Sequence, residues 1–141
     1  MNFSSSQEVK KIFEEVYIDI FKTRFSGLPV VNNVLSVKVI GLRDTEDFYT
    51  FSLITPWMLN KIAVPKKGDV KVRSIAGMRV DQLERLGEFY IANVISPMDR
   101  FKSMERAIRK AERLAEELFA EISKENNGQH HDISRDFFPK N

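Results

Sequence analysis

The sequence predicts an α+β fold, a single domain in which a mainly antiparallel sheet is flanked by an N-terminal and a C-terminal amphipathic helix. Three observations carry this. Apolar residues recur with a 3.6-residue period near each end of the chain. Between those ends lie short apolar runs cut by proline, glycine and asparagine, and the first two of them are joined by a short polar turn, the mark of an antiparallel hairpin. At 141 residues, 43% of them apolar, the chain has material for one core and too little for two. Residues 1–124 are read as the domain and 125–141 as a mobile tail.

Taken in order, Ser5 with Glu8 matches a capping box, and Val9, Ile12, Phe13, Val16, Tyr17, Ile20 and Phe21 follow on one helical face, predicting a helix over about residues 6–24. Ser26-Gly27 ends it and Pro29 prevents its resumption. Leu35, Val37 and Val39 alternate with Ser36, Lys38 and Ile40, which predicts a strand over about 34–42. The polar turn RDTEDF leads into a second strand, FYTFSLIT, and Leu59 to Val64 makes a third. Val70, Val72, Met78 and Val80 supply brief strands before a turn at Leu83 to Gly87, and Phe89 to Ile95, apolar nearly throughout, reads as central. Ser96 as N-cap, Pro97 as first helical residue and Asp99 in the first turn predict a helix over about 97–124, whose core stripe runs from Met104 to Ile122. Each helix has one broad apolar face, and an antiparallel sheet covered on one side needs no more.

The stretch FSLITPWMLNKIAVP holds the one tryptophan of the chain and two of its five prolines. Thr55-Pro56 must end the strand before it, because proline lacks an N–H for the ladder and pushes its predecessor away from helix. Trp57 just past the break is either a core plug at a corner or, with Met58, part of a docking surface. FSLITPWM and YIANVISPM both end an apolar strand in a hydroxyl residue, a proline and a methionine, so side-by-side strands would bring Trp57, Met58 and Met98 to one edge of the sheet. Tryptophan offers large area at low entropy cost and methionine adapts its shape, which suits an interface core. The candidate partner-binding residues are therefore Thr55, Pro56, Trp57, Met58, Asn60, Lys61, Ser96, Pro97 and Met98.

Catalysis finds little support. With no cysteine there is no thiolate nucleophile and no cysteine-based metal site, and a reducing, cytoplasmic home fits. The glycines form neither a phosphate loop, a dinucleotide fingerprint nor a nucleophile elbow. His130 and His131 are adjacent in the predicted tail, where nothing rigid orients them as base or ligand. The carboxylates sit in turns or on helix faces already populated by lysine and arginine, as solvated charge does. No enzyme activity, cofactor or metal is expected. Net charge is +2, so nucleic acid is not the default partner; Lys66, Lys67, Lys71 and Arg73 cluster, but without the stacking aromatics of an RNA-binding strand. No basic region leads into an apolar one at the N-terminus, and no apolar run approaches the ~20 residues of a membrane span, so no membrane insertion is expected. A binding module remains, with a general peptide- or RNA-binding domain as the alternative to a dedicated chaperone.

GLPVVNNVLSVKVIGLR, FSLITPWMLNKIAVP and LGEFYIANVISPM, followed by an alanine-rich amphipathic helix, resemble the HybE/HupJ family of [NiFe]-hydrogenase assembly chaperones over about residues 7–122. The most specific pieces are Thr55-Pro56-Trp57 with Asn60 and Pro65, and Ser96-Pro97-Met98; Leu28-Pro29, Asn32, Val39-Ile40-Gly41 and Arg43 agree more weakly. Asn33, Lys61, Asn93 and the turn at 44–47 depart from the pattern. The resemblance implies a small cytoplasmic α/β accessory protein without catalytic activity that binds the large or small subunit precursor of a hydrogenase and holds back export by the twin-arginine route until cofactors are in place.

Overall fold

In the computed structural model, which describes residues 3–67, 75 and 77–135, helix α1 spans Ser6–Ile20 and runs into a π-helical turn at Phe21–Phe25. Strands follow at Lys38–Asp44 (β1), Phe48–Ile54 (β2), Leu59–Pro65 (β3), Arg79–Leu83 (β4) and Gly87–Ile95 (β5), and α2 covers Met104–Arg135. They form one five-stranded sheet in the order β1-β2-β3-β5-β4, antiparallel at every pairing. The α+β, single-domain expectation holds. Val70, Val72, Lys71 and Arg73 lie outside the described residues.

Helix α1 starts where its cap dictates. Ser5 Oγ accepts from the Glu8 amide at 3.2 Å, and the Glu8 carboxylate accepts from Ser4 N at 2.6 Å, which closes the box one residue earlier than the sequence pattern suggests. Those Ser4 bonds hold the Glu8 carboxyl below its usual range. On the apolar face, Phe13 meets Phe51 and Phe89 edge-on, with centroids at 5.1 and 5.2 Å. Glu14 reaches the outer edge of the sheet and accepts from the Val39 amide of β1 at 2.9 Å, occupying an edge donor that otherwise invites another strand.

The two helices lie on opposite faces of the sheet, not on one. Tyr49, Phe51 and Leu53 of β2 pack with α1, whereas Ile54 and Phe48 pack with the α2 residues Ala107, Ala111, Leu118 and Ile122. All seven residues of β2 are consequently buried. Two covered faces explain why both alternating sets of β2 side chains are buried, Thr50 and Ser52 included. Ala107, Ala111 and Ala115 recur every four residues, so α2 sits very close to the sheet. At Gly41, where φ is +71°, a Cβ would lie 2.5 Å from the Cβ of Ala115. The β1–β2 register shifts between Ile40 and Arg43 at this point.

Three boundaries move. β1 begins at Lys38 rather than 34, because Leu35 is buried in the α2-side cluster before the ladder starts. β5 is interior but lies next to β4 at the edge, and β3 is the central strand. Helix α2 begins at Met104, so Ser96 is not its N-cap and Pro97 is not its first residue. Ser103 takes that role, its Oγ accepting from Arg106 N at 3.2 Å. In the intervening loop Met98 and Phe101 are buried beneath the sheet's end, and both carbonyls accept from the Asn32 side chain, that of Met98 also from the Phe101 amide at 3.2 Å, a single turn that does not continue as helix. At its far end the helical backbone continues to Arg135, past the end expected near Lys124.

Candidate functional site

Three segments meet at one end of the sheet: the β2–β3 turn Thr55–Met58, the loop from Ser96 to Lys102, and the loop from Leu28 to Val37. Thr55 shapes the turn. Its Oγ1 accepts from the amides of Met58 at 2.9 Å and Trp57 at 3.3 Å, and its own amide donates to the Met58 carbonyl at 2.9 Å. A hydroxyl that closes its own turn is the reason threonine precedes the proline here. Ser96 Oγ donates to the Trp57 carbonyl at 3.3 Å, which joins the ends of the two echoing segments. Asn32 ties the third loop to both. Its Nδ2 donates to the carbonyls of Met98 at 2.9 Å and Phe101 at 2.8 Å, and its backbone amide donates to Pro56 O at 2.9 Å.

Trp57 is 6% exposed and forms one layer of an aromatic stack, 4.2 Å from Phe25 and 6.2 Å from Phe21, with rings within 7° of parallel. Met98 is fully buried on the other side of the sheet, with Ile54 and Leu59. Of the three side chains expected at the apolar centre of a docking surface, then, only Met58 reaches solvent, and it is half-buried. Thr55, Pro56 and Asn60 are buried as well. Lys61 is half-buried on the α2 face with its Nζ 3.7 Å from Glu121. Ser96 and Pro97 are exposed.

What this end of the molecule presents to solvent shares Pro97 with the expected residues and otherwise comes from the loop after α1 and the loop before α2. Pro29, Val30, Val31 and Val34 on one wall and Pro97 and Phe101 on the other line an open groove of about 640 Å³, with Asp99 and Lys102 at its rim. Val30 and Val34 are 42% and 54% exposed, and Leu28 beside them 44%. These are half of the large apolar side chains left exposed among the described residues. Sequence reasoning passed over them because LPVVNNV has neither the strand nor the helix period. The available signal was the opposite one: a run of apolar residues pinned by proline and paired asparagines where no regular element can bury them.

The groove offers apolar contact and a mixed-charge rim. Among the described residues no group of three histidine, cysteine, aspartate or glutamate side chains is placed to hold a metal ion, and no helix is long and apolar enough to cross a membrane.

The fold is a small α+β domain with an open apolar groove at one end of its sheet, and comparison with known proteins supplies the class. The chain belongs to the HybE family of [NiFe]-hydrogenase assembly chaperones, whose model matches residues 8–140. It is similar to the hydrogenase expression/formation protein HupT of Azotobacter chroococcum mcd 1, with 33% identity over 76% of this chain and 80% of that one. It is also similar to the hydrogenase expression/formation protein HoxT of Azotobacter vinelandii, with 30% identity over 66% of this chain and 69% of the relative. HupJ of Bradyrhizobium diazoefficiens, likewise a hydrogenase expression/formation protein, is 25% identical over 72% of this chain and 66% of its own. No solved structure gives a significant match. The family and the names of these relatives support a role in hydrogenase maturation.

Proposed function

We propose that this chain is a non-catalytic chaperone that binds the large or small subunit precursor of a [NiFe] hydrogenase in the cytoplasm, before export, and that the groove between residues 28–34 and 97–102 receives it. The carrying observation is the pair of exposed apolar side chains Val30 and Val34, which line a groove of about 640 Å³ together with Pro97, with exposed Leu28 next to Pro29 at its end. Contiguous apolar surface costs a soluble protein free energy unless something covers it, and polar rims around such patches mark interaction sites. Asn32 holds the two walls in register through its side-chain bonds to the Met98 and Phe101 carbonyls, and its amide anchors this loop to the Pro56 carbonyl, so the groove is formed before the client arrives and little ordering is left to offset affinity.

Val30→Asp and Val34→Asp place a charge on each exposed apolar position without touching the core. Purified precursor subunit, large and small tested separately, should bind each variant at least tenfold more weakly than wild type by fluorescence anisotropy, with an unchanged unfolding midpoint. Wild-type affinity in both variants would refute the groove.

A further inference from the structure

Asn60 is fully buried in the middle of the fold, and neither its side-chain Nδ2 nor its Oδ1 has a hydrogen-bond partner. Its place follows from the register. On β3 it stands opposite Leu53 of β2 on one side and Asn93 of β5 on the other, on the α1 face of the sheet. Ile62, the next residue on that face, and Leu53 are both fully buried in the cluster beneath α1. An apolar side chain of Asn60's size would be at home there. The amide, with two donor hydrogens and two acceptor lone pairs, leaves bulk water on folding and finds no protein group in return.

The row that holds Asn60 is open at one end. Asn93 is exposed, the β3–β5 register shifts between Leu59 and Asn60, and Val94 beside Asn93 is 39% exposed. β-bulges often adjoin functional sites, where they turn a side chain toward a ligand. Along the chain, exposed Val94 and Ser96 lead on to Pro97, which lines the groove already described. On the same face Met58, two residues before Asn60, is half-buried and packs on the α1-side cluster. It is unbranched at Cβ and turns about three side-chain bonds, so it can swing aside at small cost.

We infer that Asn60, with Asn93 leading to it, is a hydrogen-bonding site for the main chain of the bound precursor, which enters as an extended segment along the exposed end of β5 and displaces the Met58 side chain. This rests on the functional reading above and gives the recognition chemistry within it. A primary amide and a peptide unit each present a donor and an acceptor, so two hydrogen bonds form between them whatever the client's side chains. A carboxylate or phosphate would satisfy only the donor half, and a cation only the acceptor half. Main-chain recognition of this kind suits a chaperone, which must hold a segment before it has folded, with the apolar groove supplying the side-chain preference.

The test separates this site from the groove. Asn60→Leu keeps the branched outline and removes the unpaired amide, though its methyls are bulkier than the amide's oxygen and nitrogen, and Asn60→Val, smaller than leucine, controls for overpacking. The unfolding midpoint in urea of at least one of the two variants should equal or exceed that of wild type, while the affinity of both for the purified precursor subunit falls at least tenfold. In two-dimensional NMR of the full chain, the side-chain amide signal assigned to Asn60 by its loss in Asn60→Leu should shift when precursor is added, and it should keep its position when a folded control protein is added. A lowered midpoint in both Asn60→Leu and Asn60→Val would mean that the amide is already satisfied in the free fold and would overturn the inference. Affinity within twofold of wild type would overturn it too, and would leave the groove standing if Val34→Asp still abolishes binding. A wild-type chain that binds neither precursor overturns the functional reading and this site with it.

Discussion

Adding one methyl group at Gly41 tests the closest contact in the fold. Gly41 has φ +71°, and a Cβ there would lie 2.5 Å from Ala115 Cβ, well inside van der Waals contact. Two costs combine in Gly41→Ala. A residue with a Cβ in the left-handed region loses roughly 1–2 kcal/mol, and overpacking a tight interface adds roughly 1–3 kcal/mol. The neighbour cannot yield easily, since Ala115 belongs to a helix seated on the sheet through Ala107 and Ala111 as well. A loss of about 2–5 kcal/mol is therefore expected, against a total stability of ~5–15 kcal/mol for a typical domain. In urea, with a slope of roughly 2 kcal/mol per molar, the midpoint should fall by about 1–2.5 M. The second variant isolates the cause. Ala115→Gly alone costs about 1 kcal/mol in helix propensity, but in the double variant it removes the collision and leaves only the backbone strain. The double variant should then be more stable than the sum of the single changes by roughly 1–3 kcal/mol. Additivity within ~0.5 kcal/mol, or a Gly41→Ala protein as stable as wild type, would refute the placement of α2 on β1.

Other expectations follow from the same geometry. Thr55→Ala removes the hydroxyl that closes the β2–β3 turn and should cost about 1–2 kcal/mol, whereas Thr55→Ser should keep most of it; equal midpoints for the two would argue against the turn's hydrogen bonds. Trp57→Ala empties the layer on which Phe25 and Phe21 stack and should cost ~3–5 kcal/mol by chemical denaturation, an outcome that a surface tryptophan would not give. Ser103→Ala should lose ~0.5–2 kcal/mol as a cap; Ser96→Ala, at an exposed hydroxyl with one long bond, should lose less than about 0.5 kcal/mol, and the reverse order would return the helix start to Ser96. Burial, with Asp81 adding to it and Arg79 opposing, pushes the Tyr17 phenol above its usual range. A raised folded value means that stability is complete below the unfolded value near ~10 and declines as pH rises beyond it, so the alkaline side of the stability profile should flatten in Tyr17→Phe.

The sequence by itself determined what is local and periodic. Ser5 with Glu8, and the 3.6-residue spacing from Val9 to Phe21, place α1 because a helix face repeats along the chain and its cap lies within four residues. Thr55-Pro56 ends β2 because proline ends a ladder wherever it stands. Even the true start of α2 was written locally, in Ser103 directly before the first periodic residue Met104, although Ser96-Pro97 competes for the same role on sequence alone. Only the tertiary structure decided that the helices cover opposite faces, since a fully buried strand reads the same whichever helix lies on which side. Only long-range contact shows that Gly41 is glycine on account of Ala115, that Trp57 is enclosed by Phe21 and Phe25, and that Asn32 reaches 66 residues along the chain to the Met98 carbonyl. The groove belongs to this second class. Exposure of Val30 and Val34 is a property of what fails to pack against them, and a one-dimensional pattern records the residues present without the neighbours they lack.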